Sequence, residues 1–180
     1  MQVKVMQRKT SRPIRALAIV LMLALVGSQA RGADIRGRAR VVDGDTIEIN
    51  HRSIGLFGIE APLPAQTCFA PDGRRYACGQ AARQVLDRLV GIHEIACSPR
   101  GSPNRLRLLA VCRVGDIDLA AAMVERGWAL ARWRDSLDYV DLENSAREAR
   151  RGIWAGTFMT PEEFRKLNER EPYAPFPFGR

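Results

Sequence analysis

Cysteine and histidine are the residue types here that could do redox or metal chemistry, and their spacing favours one of the two. The four cysteines are Cys68, Cys78, Cys97 and Cys112. Zinc sites use Cys-x-x-Cys pairs or clustered histidines. This sequence has no such pair, and His51 and His93 each stand alone. An even number of cysteines without metal-ligand spacing favours two disulfides, which form in an oxidising compartment.

The positions of the cysteines favour one of the three pairings that four cysteines allow. Cys97 ends one apolar segment and Cys112 lies towards the end of the next. A β-hairpin joining these segments would place the two sulfurs on neighbouring strands, so we predict the pair Cys97–Cys112. The remaining pair, Cys68–Cys78, would restrain a loop rich in proline and stabilise the fold by roughly 2–3 kcal/mol.

The first thirty residues carry the three-part pattern of a secretory signal peptide. A basic stretch ends at Arg15, an apolar run covers 16–26, and small residues precede a cleavage site at Ala30. We predict cleavage after Ala30, with Gly32 as the alternative, and export to the periplasm or the medium. The rival interpretation is an uncleaved anchor. The run of eleven apolar residues spans about 16 Å as a helix, roughly half of the hydrocarbon thickness, so no stable membrane anchor is expected.

The composition is that of one globular domain with a weak electrostatic signal. Hydrophobic residues make up 46% of the chain, which is enough for a packed core and excludes a disordered protein. The net charge is +8, of which +5 falls in the first thirty residues, leaving +3 for the rest. Nucleic acid or another polyanion is therefore an open partner class, and a monomer is the expected state.

Hydrophobic periodicity predicts a mixed domain at 31–158, after the signal at 1–30 and before a short helix and proline-rich tail at 159–180. Alternating apolar residues predict strands, and a spacing of three to four predicts helices. The predicted strands are 35–42, 46–50, 53–59, 92–98 and 106–114, and the predicted helices are 81–90, 119–126 and 137–151. Five strands with a helix after the third favour an α+β, mainly β fold: a five-stranded oligonucleotide-binding (OB) Greek-key barrel with three helices.

Five short segments occur in an order that points to a family. They are Val-Val-Asp-Gly-Asp-Thr at 41–46, Gly-Ile-Glu-Ala-Pro at 58–62, Leu-Arg-Leu-Leu-Ala at 106–110, Met-Val-Glu-Arg-Gly-Trp-Ala at 123–129 and Ala-Arg-Arg-Gly-Ile-Trp at 149–154. The set closely resembles the thermonuclease, or staphylococcal nuclease-like, family over about residues 35–156. The resemblance implies an OB barrel and calcium-dependent hydrolysis of DNA or RNA phosphodiester bonds. Exported four-cysteine members of the family also support the pairing above.

The resemblance implies five functional positions, of which this sequence keeps only some. Asp45 matches the first calcium ligand, Glu60 matches the second with one extra carbon, and Arg107 matches the second phosphate-binding arginine. Gly55 stands where the first arginine is expected, and Leu63 stands where the general base is expected. A missing base costs roughly 10²–10⁴ in rate, and a missing transition-state donor roughly 10²–10³.

For each of these residues an explanation without a functional role stays open. Asp45 and Glu60 are then only a solvated acidic pair, and Arg107 is only a surface or core-edge arginine. Arg52 and Asp72 are the candidates for hidden replacements of the missing arginine and base. The sequence is compatible with two classes of function: a weak calcium-dependent phosphodiesterase, or a non-catalytic exported module. Degenerate members among rhizobial succinoglycan genes also imply a part in exopolysaccharide production.

Overall fold

The computed structural model of the protein describes residues 34–101 and 108–170. Ten strands are found in these two stretches. Their bounds are β1 Ile35–Asp43, β2 Thr46–Ile49, β3 Arg52–Leu56, β4 Ile59–Glu60, β5 Cys68–Phe69, β6 Arg75–Tyr76, β7 Glu94–Arg100, β8 Leu108–Val114, β9 Ile117–Asp118 and β10 Leu130–Ala131. The described helices are α1 Cys78–Val90, α2 Leu119–Glu125, α3 Val140–Glu148 and α4 Pro161–Arg170, with a 3₁₀ helix at Gly152–Ala155.

Five of the strands close into a barrel, as the sequence predicts. The order β3-β2-β1-β7-β8 is antiparallel throughout, and a parallel pairing of β3 with β8 joins its two ends. Closure leaves no open edge between these strands. Alternate residues of the strands face inwards, and Ile47, Ile49, Ile54 and Ile95 have no exposed surface. Helix α1 packs on β1, and its apolar face joins the same core.

The third strand ends earlier than the predicted range of 53–59. A turn at Phe57 and Gly58 interrupts it, and Gly58 has a φ of +79°, which favours glycine. After the turn, β4 leaves the barrel and pairs with β10, so that Glu60 lies opposite Leu130. Apolar residues lie on both sides of the turn, at Leu56, Phe57 and Ile59, so the segment resembles one strand although the alternation shifts by one residue at Phe57. This turn places Glu60 outside the barrel wall.

Both predicted disulfides are present. Cys97 and Cys112 face each other in the β7–β8 hairpin, with their Cα atoms 4.0 Å apart. Cys68 and Cys78 link β5 to the first residue of α1, with a Cα separation of 5.6 Å. All four cysteines are fully buried. The hairpin argument for the first pair is therefore confirmed.

Two of the described helices, α2 and α4, begin at a capping side chain. Asp118 caps α2, because its side chain accepts hydrogen bonds from the N–H groups of Ala120 and Ala121. Thr160 and Glu163 form a reciprocal capping box at the start of α4. The helix predicted at 137–151 is shorter and spans Val140–Glu148.

Gly44 occupies the β1–β2 turn for a reason that its sequence position does not reveal. The sequence suggests a glycine that supplies a positive φ, but Gly44 is not among the residues with positive φ. A Cβ atom there would lie 2.6 Å from the Cβ of Ala61 and 2.8 Å from that of Ala82. Glycine is needed because the turn lies directly against helix α1 and the loop that follows β4.

Some predictions fall outside the described residues. The signal peptide at 1–30 and the tail after Arg170 are among them. Within the described stretches, no helix has the length and apolar character needed to cross a membrane.

Candidate functional site

A cavity of about 240 Å³ opens where the β1–β2 turn, the end of β3 and the loop after β4 meet. It brings together three of the positions that the family resemblance selects: Asp45, Glu60 and Leu63. Asp43 also lines it. Carboxylates from the β1–β2 turn and from strand β4 therefore line one cavity, although 14 residues lie between Asp45 and Glu60.

Asp45 fastens the β1–β2 turn to the loop after β4. Its Oδ2 accepts a hydrogen bond of 2.9 Å from the N–H of Ala61, and its Oδ1 accepts one of 3.1 Å from the hydroxyl of Thr46. Its own N–H donates to Oδ1 of Asp43 at 3.1 Å. The carboxylate is thus held in one orientation by groups on both sides, and each of its two oxygens already accepts a hydrogen bond.

Glu60 is held by a residue that the sequence analysis missed. The guanidinium of Arg165, in helix α4, forms an ion pair with Oε1 of Glu60. The Glu60 side chain is only 18% exposed, so water screens this pair less than it screens a surface pair. No spacing pattern connects the two residues, because helix α4 lies far along the chain from β4.

Leu63 lines the cavity at the position where the family has its general base. Its N–H donates to Oε1 of Gln66 at 3.2 Å, which fixes the loop. Gln66 is fully buried, and its Nε2 donates to the carbonyl of Met159 at 2.5 Å. An aliphatic side chain cannot accept a proton, so Leu63 offers the cavity no base.

The position of the missing arginine lies inside the sheet. Gly55 is buried in β3, with Thr46 opposite in β2 and Leu109 opposite in β8. Arg107, the candidate for phosphate binding, lies outside the described residues. Because glycine has no side chain, position 55 carries no guanidinium.

The two suggested replacements do not line the cavity. Arg52 is exposed at the start of β3, opposite Ile49. Asp72 lies in an exposed turn, where Arg74 binds it at 2.6 Å and lowers the pKa of its carboxyl. Asp72 therefore has a local partner of its own and lies in a different part of the surface.

Arg132 is the second cavity residue that the sequence analysis missed. It follows β10, and its N–H donates to the carbonyl of Gly58 at 2.8 Å. Its Nε lies 3.4 Å from Oδ2 of Asp135, which is close enough for an ion pair, although that oxygen accepts no well-formed hydrogen bond. The described lining therefore contains three carboxylates and two guanidinium groups.

The donor set was compared with the needs of calcium, the cation implied by the family. Calcium takes six to eight oxygen ligands, several of them carboxylate oxygens. Within 34–101 and 108–170 no three acidic, histidine or cysteine side chains cluster closely enough to hold a metal. Glu60 is bound by Arg165, and both oxygens of Asp45 accept hydrogen bonds. This part of the chain, as arranged here, does not fit calcium.

A larger groove of about 660 Å³ runs beside helix α4, away from these carboxylates. Its lining is mainly apolar and includes Phe69, Phe158, Met159 and Leu167. Size alone would favour this groove as the functional site. Its described lining contains neither Asp45 nor Glu60, so we assign the family's chemistry to the smaller cavity.

Comparison with known proteins places the chain in a family. The profile described as "Staphylococcal nuclease homologue" matches residues 53–156. Succinoglycan biosynthesis protein ExoI of Rhizobium meliloti (strain 1021) is 30% identical over 151 residues, which cover 82% of this chain and 79% of that protein. The matched range contains Glu60 and Leu63, whereas Asp45 lies before it. The family assignment agrees with the closed barrel. The chain therefore belongs to the staphylococcal nuclease family.

Proposed function

We propose that this chain is an exported nuclease-fold protein with little or no phosphodiesterase activity, which acts as a binding or accessory module in exopolysaccharide production. One observation carries the loss of activity. The cavity has the aliphatic Leu63 where a base is needed, and Arg165 neutralises Glu60 where a metal ligand is needed. The similarity to a succinoglycan biosynthesis protein supports the pathway.

The chemistry of phosphodiester hydrolysis supports the same conclusion. The reaction needs a group that activates water and cations that stabilise the charge on the phosphate. Leu63 provides no base, and Gly55 provides no guanidinium. Losing the base and one donor lowers the rate by several orders of magnitude, although the two losses are not strictly additive.

Export is supported by the signal-peptide pattern and the two disulfides. Disulfides persist mainly in oxidising compartments such as the bacterial periplasm, and both bonds here are buried in the fold. We propose cleavage after Ala30. N-terminal sequencing of exported protein tests this, and an intact Met1 in the membrane fraction would contradict it.

A nuclease assay tests the proposed loss of activity. The purified, disulfide-bonded protein is incubated with DNA and with RNA in CaCl₂ and in EGTA, beside an intact nuclease of the family. We expect cleavage several orders of magnitude slower than that of the intact enzyme. Cleavage at a comparable rate would support the alternative, an active calcium-dependent endonuclease.

Restoring the missing groups tests the reason for the loss. Gly55→Arg supplies a fork for the phosphate, and Leu63→Glu supplies a base at the cavity. We expect each substitution alone to have little effect and the two together to raise cleavage. Glu60→Asp is a third change, which shortens the side chain by one carbon and so adjusts how far the carboxylate reaches towards a calcium ion.

Deleting the gene and measuring exopolysaccharide tests the pathway, and unchanged production would exclude it.

A further inference from the structure

Helix α4 lies beyond the segment that the family profile matches, yet it contributes to the cavity. The match ends at residue 156, and α4 spans Pro161–Arg170. Its Arg165 lines the cavity and binds Glu60. A helix outside the segment matched by the family profile therefore supplies the partner of Glu60, the position that the resemblance matches to a metal ligand.

The placement of α4 is built by several contacts that do not involve Arg165. Thr157 and Phe69 exchange two backbone hydrogen bonds of 2.8 and 3.0 Å. Gln66 donates to the carbonyl of Met159 at 2.5 Å, and Thr160 caps the helix with Glu163. These bonds hold the start of the helix against a loop that a disulfide braces at Cys68. Removing the Arg165 side chain should therefore leave the helix in place.

Glu60 needs a cation because of where it lies. Its side chain is 18% exposed, and a carboxylate with so little water is stable only beside a positive charge or several donors. Arg165 provides that charge. Arg132 shares the cavity, but Asp135 lies 3.4 Å from its Nε. In this part of the chain Arg165 therefore satisfies the requirement that a divalent metal ion would otherwise meet.

We propose that Arg165 is a tethered cation that takes the place of the divalent metal ion at Glu60 and excludes calcium from the cavity. The inference deepens the proposed function and rests on it for the identity of the site. A guanidinium beside Oε1 of Glu60 repels a second cation at the same carboxylate, so Arg165 and a metal ion compete for it. Because the guanidinium is attached to the protein, its effective concentration is high, and calcium must displace it in order to bind.

Calcium binding to the purified protein, measured by isothermal titration calorimetry with CaCl₂, tests the proposal. Arg165→Gln removes the tethered cation, and Lys166→Gln is the matched control. Lys166 is the next residue in the same helix, but it binds Glu162 at 2.7 Å and not Glu60. We expect Arg165→Gln to bind calcium about tenfold more tightly than the unmodified protein, or better, which is within the usual range for coupled sites. Lys166→Gln should leave the affinity unchanged.

A double variant, Arg165→Gln with Glu60→Gln, identifies the site of the gain. It should lose the added affinity, because Glu60 supplies the ligand. Should Arg165→Gln fail to fold, Arg165→Met keeps the apolar stem and is read in the same way. Equal calcium affinity in the unmodified protein and the Arg165 variants would overturn the proposal, as would an equal gain in Lys166→Gln. Calcium-dependent cleavage by the unmodified protein would overturn both proposals. Slow cleavage together with equal calcium affinities would overturn this one and leave the proposed function standing.

Discussion

The barrel and the rim of its cavity are stabilised by different kinds of contact. Here the cavity rim means three segments: 60–69, 130–132 and 157–165. The barrel interior is filled by isoleucine, leucine and valine side chains with almost no exposed surface. The rim is joined by polar contacts between distant segments, among them the buried Gln66 and the pair of Glu60 with Arg165.

This difference separates contacts that tolerate substitution from contacts that depend on a single donor or acceptor atom. Apolar burial has no direction, so a barrel tolerates swaps that conserve volume. A hydrogen bond or ion pair depends on one donor and one acceptor, and removing either leaves the other unsatisfied. The barrel should therefore determine global stability, and the rim should determine the shape and charge of the cavity.

The largest effect is expected from truncating the barrel core. Ile54→Ala removes a side chain with no exposed surface from the middle of β3. We expect it to lower the free energy of unfolding by about 2–5 kcal/mol, because the lost burial adds to the cavity left behind. Ile92→Ala is the control, since Ile92 is 84% exposed. Urea unfolding measures both, and an equal loss in the two variants would contradict the assignment of the core.

The two disulfides allow a direct comparison between barrel and rim. Their sequence separations are 15 and 10 residues, so removing either by a pair of alanines should cost about 3 kcal/mol through the unfolded state. Local dynamics should differ. Loss of Cys68–Cys78 should speed hydrogen exchange in α4, because Phe69 pairs with Thr157 beside it. Loss of Cys97–Cys112 should not, and the same exchange pattern in both variants would remove the distinction.

Gln66 tests the polar contacts of the rim alone. Gln66→Leu conserves most of the volume but leaves the N–H of Leu63 and the carbonyl of Met159 without their present partner. We expect a loss of about 1–3 kcal/mol in thermal or urea unfolding. Gln80→Leu, at an exposed position in α1, is the matched control. A harmless Gln66→Leu would mean that these two hydrogen bonds do not stabilise the rim.

The smallest effect concerns a polar contact on the barrel side. The hydroxyl of Tyr139 donates to Oδ2 of Asp118 at 3.2 Å, and burial first, then the charge of Asp118, raises the pKa of Tyr139. A raised pKa means that the folded state favours the neutral phenol. Its stabilisation is complete below the ordinary tyrosine pKa of about 10 and is lost as the pH rises further.

Comparing the unmodified protein with Tyr139→Phe isolates this contribution. At neutral pH the variant should lose only about 0.5–1.5 kcal/mol, the usual net value of one hydrogen bond. Above about pH 10 its melting temperature should fall less steeply than that of the unmodified protein. Tyr76, whose pKa burial also raises, titrates in both proteins and cancels from the comparison. Parallel curves would show that Tyr139 does not contribute to alkaline unfolding.

Local patterns were sufficient for much of the barrel and for the start of α2, whereas α1 and α3 each begin three residues away from the predicted position. The alternation in β1 and β2, the Asp118 cap and the Thr160 capping box each involve residues close in sequence. The hairpin disulfide followed from the same local reasoning. The turn at Gly58 was missed because apolar residues lie on both sides of it. The shift of the alternation at Leu56 and Phe57 was its only local sign, and the exchange of strand partners depends on β10, which is distant in sequence.

The candidate site was predictable only where the family motif lies within one segment. Asp45, Glu60 and Leu63 come from short motifs, and the structure brings them to one cavity. Arg132 and Arg165 carry no signal, because an arginine after a strand or within a polar helix is usually solvated. The helix predicted at 137–151 is observed only at Val140–Glu148 for a similar reason. Periodicity does not show where neighbouring segments begin to compete for contacts.

The sequence by itself determined the family, the closed barrel and the pairing of the cysteines, because these depend on local periodicity, ordered motifs and hairpin geometry. The absence of a guanidinium and a base at Gly55 and Leu63, the positions that the resemblance selects, stays a prediction from the sequence. Only the tertiary structure decided what occupies the cavity. The charge beside Glu60 comes from Arg165, and a contact between residues so far apart exists only after the barrel, the braced loop and helix α4 have packed together.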